Sequence, residues 1–293
     1  MIARACGDWR LTLRPDLGGA VAGLTWRGEP VLRPTPDDAA DVLRTACFPL
    51  LPYANRIAEA AFAWRGRSIS LRPSPGFEPH ALHGVGWRTP WTVEAGDGHQ
   101  VALTFDHVAD DDWPWAFTAR QVFAVDEAGL SIQLALTNRA DQSAPAGLGL
   151  HPYFVRTAET RLGLRAPEVW LSDPTLIPRR LAPSAELVDW SARPRLADVP
   201  PIDHAYANWT GPAELIEPHR RLRLSASPNA AWVHVFTPAG EDFVCVEPVT
   251  HRPDAVNAPA GEASGLMSLA PGETLAMSMR VEAVTSDRAP PGS

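Results

Sequence analysis

A chain of 293 residues, 45% hydrophobic and 20% charged, has the composition of an ordinary globular protein and not of a disordered or fibrous one. The formal net charge of -8 offers no basic excess to a nucleic acid or an anionic membrane, and points to a neutral or small-molecule partner. All 26 basic residues are Arg, so Schiff-base and lysine general-base chemistry is removed outright.

Three cysteines, Cys6, Cys47 and Cys245, are too few and too widely spaced for a disulfide framework or a zinc pattern, and read as reduced thiols. The start, Met1 to Asp8, lacks the apolar core of a signal peptide. No run approaches the roughly 18 apolar residues of a membrane helix. A cytoplasmic protein is expected.

From the N-terminus onward the recurring pattern is a short alternating run broken by a Gly or Asp turn, which predicts antiparallel hairpins. Trp9, Leu11 and Leu13 alternate with polar residues; Val21 to Trp26 leads through Arg27-Gly28-Glu29-Pro30 to Val31-Leu32. Phe62 to Trp64 turns at Arg65-Gly66-Arg67 and returns as Ser68 to Leu71. Trp91 to Val93 turns at Ala95-Gly96-Asp97-Gly98 before Val101 to Phe105, and Arg120 to Val125 turns at Asp126 to Gly129 before Leu130 to Thr137. Leu222 to Leu224, Trp232 to Phe236, Phe243 to Val246 and Leu275 to Val284 repeat the habit in the second half. Helical spacing is confined to a turn or two near Asp37 to Arg44. The 30 prolines are spread as loop and edge markers, and no composition break divides the chain. Ala192 to Pro201 reads as a loop over the sheet. The expectation is one all-β domain over 1–285, a large antiparallel β-sandwich of two sheets packed face to face, followed by a disordered tail, 286–293.

Several titratable residues sit at the edges of apolar runs beside Gly or Pro, where the backbone is fixed and the side chain stays accessible. Asn55-Arg56 follows the proline-fixed run Phe48 to Ala54, and a guanidinium there can grip a substrate oxygen by a forked hydrogen bond. His80 and His83 stand three apart in a loop, His83 the better placed to face a cleft. His151 lies in Gly147-Leu148-Gly149-Leu150-His151-Pro152-Tyr153-Phe154, where a sheet would deliver it into a cleft. Glu247 ends the run Phe243 to Val246, with Pro248 stopping the strand, and apolar surroundings raise a carboxylate's pKa toward that of a useful base. Asp203 reads as a loop aspartate. A zinc or manganese site from His80, His83, His151 and Glu247 ranks below a metal-free acid/base pair.

Four stretches in this order carry a family likeness: Pro52-Tyr53-Ala54-Asn55-Arg56-Ile57-Ala58, His80-Ala81-Leu82-His83-Gly84, Leu148 to Phe154, and Cys245-Val246-Glu247-Pro248 followed by Asp254-Ala255-Val256-Asn257. On these residues the chain resembles the aldose 1-epimerases, or galactose mutarotases, in their shorter bacterial branch. The resemblance implies a β-supersandwich that interconverts the α and β anomers of a free aldose such as galactose or glucose without a cofactor or metal. It implies Glu247 as the general base at the C1 hydroxyl and His151 as the general acid at the ring oxygen. His83, Arg56 and Asn55 would hold substrate, with Asp203 on sugar hydroxyls and Trp87 and Trp209 as surfaces for the ring to stack on. Leu150 and Pro152 around the acid, and the split Gly84-Val85-Gly86, depart from the common galactose mutarotase pattern and turn the expectation away from galactose as the preferred sugar. A hexose-6-phosphate 1-epimerase and a non-catalytic sugar-binding protein are the alternatives on the same scaffold, as a monomer or homodimer.

Overall fold

The structure, a computed structural model, describes residues 1–96 and 98–285; Asp97 of the expected turn and the expected tail, 286–293, lie outside the described residues. Two antiparallel sheets dominate. The 11-stranded sheet runs, edge to edge, Ile2–Cys6, Trp9–Arg14, Ala20–Trp26, Cys47–Leu50, Gly149–Val155, Phe243–Val249, Trp232–Thr237, Ile202–Ala207, Glu168–Ser172 and Pro178–Pro183, with Glu29–Pro30 pairing off this path against Ala20–Trp26. The 8-stranded sheet runs Thr92–Gly96, Gln100–His107, Phe117–Val125, Gly129–Asn138, Thr274–Thr285, Arg220–Ala226, Thr210–Ile216 and Arg161–Arg165. The all-β sandwich expected from the hairpin pattern is what the chain forms.

The hairpins form because local chemistry closes them. Between Phe117–Val125 and Gly129–Asn138, Asp126 Oδ1 accepts from the N–H groups of Ala128 and Gly129, each at 2.9 Å, so the turn is fixed by its own aspartate. Phe117–Val125 then alternates buried and less buried residues along its length, one face inward. Helix among the described residues is limited to single 3₁₀ turns such as Val42–Arg44, whose N-terminus is capped by Asp41 accepting from Leu43 N–H at 2.9 Å.

The central strands of the larger sheet are buried on both faces, and the two faces do different work. Gly149–Val155 and Phe243–Val249 are buried almost throughout. On one face Leu150, Phe154, Val244, Val246, Val233 and Val235 join the main core, which also takes in Ile132, Leu134, Leu222, Leu224 and Val281 of the other sheet. On the opposite face Phe48, Tyr153, Phe243 and Cys245 form a second, smaller cluster with Trp87, Ala20 and Val42. Residues i and i+2 of a strand share a face, so His151, Tyr153, Cys245 and Glu247 all project to this second side, away from the other sheet.

Two local expectations, on Pro248 and Asp203, are corrected. Pro248 does not stop its strand: Phe243–Val249 runs through it, with Pro248 opposite Val233. Pro152 likewise sits inside Gly149–Val155. Between these two strands no described residues pair from Gly149/Val249 to Tyr153/Cys245, so the missing proline N–H groups withdraw no bond from that ladder. Asp203 is not in a loop but in the strand Ile202–Ala207, opposite Phe236.

Candidate active site

Cross-strand register builds the site. Gly149 opposite Val249 and Tyr153 opposite Cys245 put His151 across from Glu247. His151 also faces Phe48, and Glu247 faces His234. Phe48, His151, Glu247 and His234 therefore form one row across four adjacent strands, all on one face. Two residues along each strand lies a second row, Tyr153, Cys245 and Phe236, with Asp203 opposite Phe236.

Loops wall the rows in. The segment around Asn55 and the segment around His83 lock to one another: Asn55 N–H donates to His83 Nδ1 and His83 N–H donates to the Asn55 carbonyl, both at 3.0 Å. Asn55 and His83 both hold left-handed backbone, at φ 61° and 58°, a strained state that persists where surrounding bonds over-determine it. The lock also fixes the His83 tautomer. With Nδ1 accepting, the neutral ring carries its proton on Nε2 and can serve as a donor. Burial, followed by the nearby His151 and His234, pushes the His83 pKa well down, so the ring is neutral.

The short strand Arg56–Ile57, paired with Ala81–Leu82, is braced from behind. Asp254 N–H donates to the Arg56 carbonyl at 2.9 Å, and Asp254 Oδ1 accepts from Ala58 N–H at 3.0 Å. His251 Nε2 accepts from Ala54 N–H at 3.0 Å, while its Nδ1 donates to the Arg252 carbonyl at 2.6 Å. Gly147 lets this happen: a Cβ there would stand 1.9 Å from the His251 ring.

Rows and loops enclose a cleft of about 260 Å³ lined by Arg33, Leu43, Asn55, Arg56, Phe77, Leu82, His83, His151, Tyr153, Asp203, His234, Phe236, Phe243 and Glu247. At its floor His151 Nε2 lies 3.4 Å from Glu247 Oε1, both side chains almost fully buried. The His151 ring is held between Phe48 and Tyr153, with centroids 4.7 Å away on each side. Burial drives the two members of the pair in opposite senses, Glu247 up to about 8 and His151 down to about 3. At neutral pH the pair thus holds one proton, placed on the carboxyl when the cleft is empty. Asp203 Oδ1 and His234 Nε2 form a second pair at 2.6 Å. Burial pulls the His234 pKa down, but the bond to Asp203 and the neighbouring Glu247 outweigh it, and the net shift is upward.

Of the residues singled out in the sequence, Asn55, Arg56, His83, His151, Asp203 and Glu247 come together in this cleft. Trp87 and Trp209 do not line it. Trp87 is buried behind His83, 5.6 Å from Phe48, with its indole N–H donated to the Gly84 carbonyl, so it supports the wall and offers no face to a ligand. Trp209 is buried beside a separate groove with Thr210 and Pro212. His80 turns away to accept from Glu59 N–H at 3.1 Å, so the metal set weighed from sequence is not assembled. A different trio is: ligand atoms of His151, Cys245 and Glu247 lie within 4.8 Å of one another. Burial pushes the Cys245 thiol well up, which disfavours the thiolate that a metal would need. Sequence reasoning missed His234, Arg33 and Tyr153; His234 and Tyr153 lie in plain apolar runs, and only the register across the sheet reveals them.

A family model described as aldose 1-epimerase matches residues 12–282. An uncharacterized protein from Escherichia coli strain K12, YphB, is 30% identical over 283 residues, covering 91% of this chain and 94% of its own. A crystal structure from Escherichia coli K12, named provisionally as an aldose 1-epimerase, superposes with a TM-score of 0.88 at 27% identity, covering 97% of this chain and 98% of that one. A galactose mutarotase-like protein from Clostridium acetobutylicum shares the fold at a TM-score of 0.86 and 17% identity, covering 97% and 95%.

Proposed function

The chain belongs to the aldose 1-epimerase family, and from that footing we propose that it interconverts the α and β anomers of a free aldose by acid/base opening and closing of the pyranose ring. The observation that carries this reading is the buried pair of His151 and Glu247, 3.4 Å apart and sharing one proton at neutral pH. Opening a cyclic hemiacetal needs one proton taken from the C1 hydroxyl and one given to the ring oxygen. A carboxylate and an imidazole side by side are sufficient for both transfers.

In the proposed reaction the C1 hydroxyl donates toward Glu247 and the ring oxygen accepts from His151, which draws the shared proton onto the imidazole. Glu247 then removes the hydroxyl proton as the C1–O5 bond breaks, and His151 protonates O5. The open aldehyde leaves Glu247 protonated and His151 neutral, the arrangement that burial favours. Rotation about C1–C2 presents the other face of the carbonyl, and the transfers run in reverse to close the ring as the other anomer. No net proton is gained or lost. His83 and Arg56 would donate to the ring and C1 oxygens, Asn55 would hold the His83 wall, and Asp203 would accept from sugar hydroxyls.

Polarimetry of freshly dissolved α-D-glucose and α-D-galactose tests the reading. Wild type should speed the approach to anomeric equilibrium, and Glu247→Gln should lose roughly 100- to 10,000-fold of that acceleration, as removal of a positioned base does. Acceleration that survives the substitution would remove Glu247 from its role. A wild type that binds sugar yet accelerates no aldose would leave a sugar-binding protein.

A further inference from the structure

The cleft contains a cation that no carboxylate answers. Arg33 follows Leu32, which bridges to Phe154, so Arg33 stands opposite Tyr153 and its N–H donates to the Tyr153 carbonyl at 2.8 Å. It thereby extends the second row of the site on the side away from Asp203. Its guanidinium lies 3.8 Å from the centre of the Tyr153 ring and 4.7 Å from that of Phe243. Nη2 donates to the carbonyls of Leu43 and Thr45 at 2.6 and 2.8 Å, while Nε is buried without a hydrogen-bond partner. Two aromatic rings and two carbonyls therefore hold one rigid, partly unsatisfied guanidinium at the cleft wall.

The charges facing it do not cancel. Among the described residues neither Arg33 nor Arg56 makes an ion pair; burial works against the charge of Arg56, and the nearby Asp203 only partly offsets that. Asp203 is itself bonded to His234, and Glu247 shares a proton with His151. The cleft is left positive in a chain whose net charge is -8. A half-buried cation without a counter-charge is costly, and a wholly neutral sugar would leave it so. The polarity also has a direction: Asp203 at one end suits hydroxyls, and Arg33 at the other suits an anion.

We propose that the aldose taken by this cleft carries an anionic group at the end of the molecule remote from C1, a carboxylate or a phosphate on C6, and that Arg33 receives it. The proposal rests on the mutarotase reading for the position of C1, over the pair of His151 and Glu247. Arg33 then lies two residues along the strand from His151 and one strand across, about 7 Å along the strand direction, a separation that one pyranose ring can bridge. A purely structural Arg33, bracing the loop through Leu43 and Thr45, would affect all sugars alike.

The test compares D-glucose, D-glucuronate and D-glucose 6-phosphate by exchange NMR on anomeric mixtures, with binding of each measured by titration calorimetry. Wild type should favour at least one charged sugar over glucose by roughly 10- to 100-fold in kcat/KM, the scale of one charge-assisted hydrogen bond, and the preferred one distinguishes carboxylate from phosphate. In Arg33→Met that ratio should fall toward one, with Arg33→Lys between. Wild type that turns over glucose as well as either charged sugar would overturn the anionic assignment and leave the mutarotase reading intact. No acceleration of any sugar, with tighter binding of a charged one, would sink the mutarotase reading and keep the anion site; no acceleration together with no preference in binding would sink both. Should Arg33→Met fail to fold, the wild-type comparison decides alone.

Discussion

At the scale of single residues, the site works by giving two ordinary groups unusual surroundings. Glu247 and His151 are both buried, and burial penalises whichever form is charged, so the carboxyl rises to about 8 and the imidazole falls to about 3. Between those values the pair holds one proton, and the two ways of placing it cannot be told apart by pH. As the pH rises through about 8 the pair loses its only proton and has nothing to give to the ring oxygen. As the pH falls through about 3 it gains a second and has no base. The expected kcat/KM profile is therefore level across neutral pH and declines above about 8, which initial rates of mutarotation across a buffer series would check; a steady rise through that range would contradict the shared proton. His83, His151 and Glu247 are legible in the sequence because each stands beside Gly or Pro at the edge of an apolar run. His234 is not, since Trp232-Val233-His234-Val235-Phe236 reads as any half-buried strand, and its meaning comes from Glu247 across the ladder. Trp87 misleads for the complementary reason: a Trp next to a functional His looks like a stacking surface, but burial behind that His makes it packing.

At the scale of elements, regular strands carry His151, Glu247 and Asp203, the proposed acid, base and hydroxyl acceptor, while irregular segments carry Asn55 and His83. Hairpins such as Phe117–Val125 with Gly129–Asn138 are legible, because alternation and turn chemistry are local. The order of strands in the larger sheet is not, since it joins Cys47–Leu50 to Gly149–Val155 and Phe243–Val249 across long stretches of sequence. Nor are the prolines at 152 and 248, which normally end strands and here pass through an interruption in one ladder. The His83 loop depends on Gly84, at φ 69°, where an added Cβ would stand 2.2 Å from the Leu51 carbonyl oxygen. Gly84→Ala combines left-handed strain with a clash against backbone, and should cost about 2–4 kcal/mol of stability, read as a lowered midpoint in denaturant. Activity should fall with it, because the strain is relieved by moving His83. An unchanged midpoint would mean that the loop is looser than its hydrogen bonds indicate.

At the scale of the whole molecule, the two sheets divide the labour. Among the described residues the 8-stranded sheet supplies core and none of the cleft lining, while the 11-stranded sheet carries His151 and Glu247 on one face and adds to the same core from the other. Leu224, fully buried in the smaller sheet between Ala213 and Val281, should therefore separate folding from chemistry. Leu224→Ala is expected to cost about 2–5 kcal/mol in denaturant unfolding and to leave kcat and KM for the best substrate unchanged at temperatures where the variant is folded. A substantial change in kcat would show that the smaller sheet tunes the cleft. The row of Phe48, His151, Glu247 and His234 also limits how such a protein can be altered over generations. One residue inserted or deleted within any of these strands turns every later side chain of that strand to the opposite face, so His151 would exchange places with the core residue Leu150. Loops can lengthen or shorten without that reversal; the row itself passes to descendants whole or not at all.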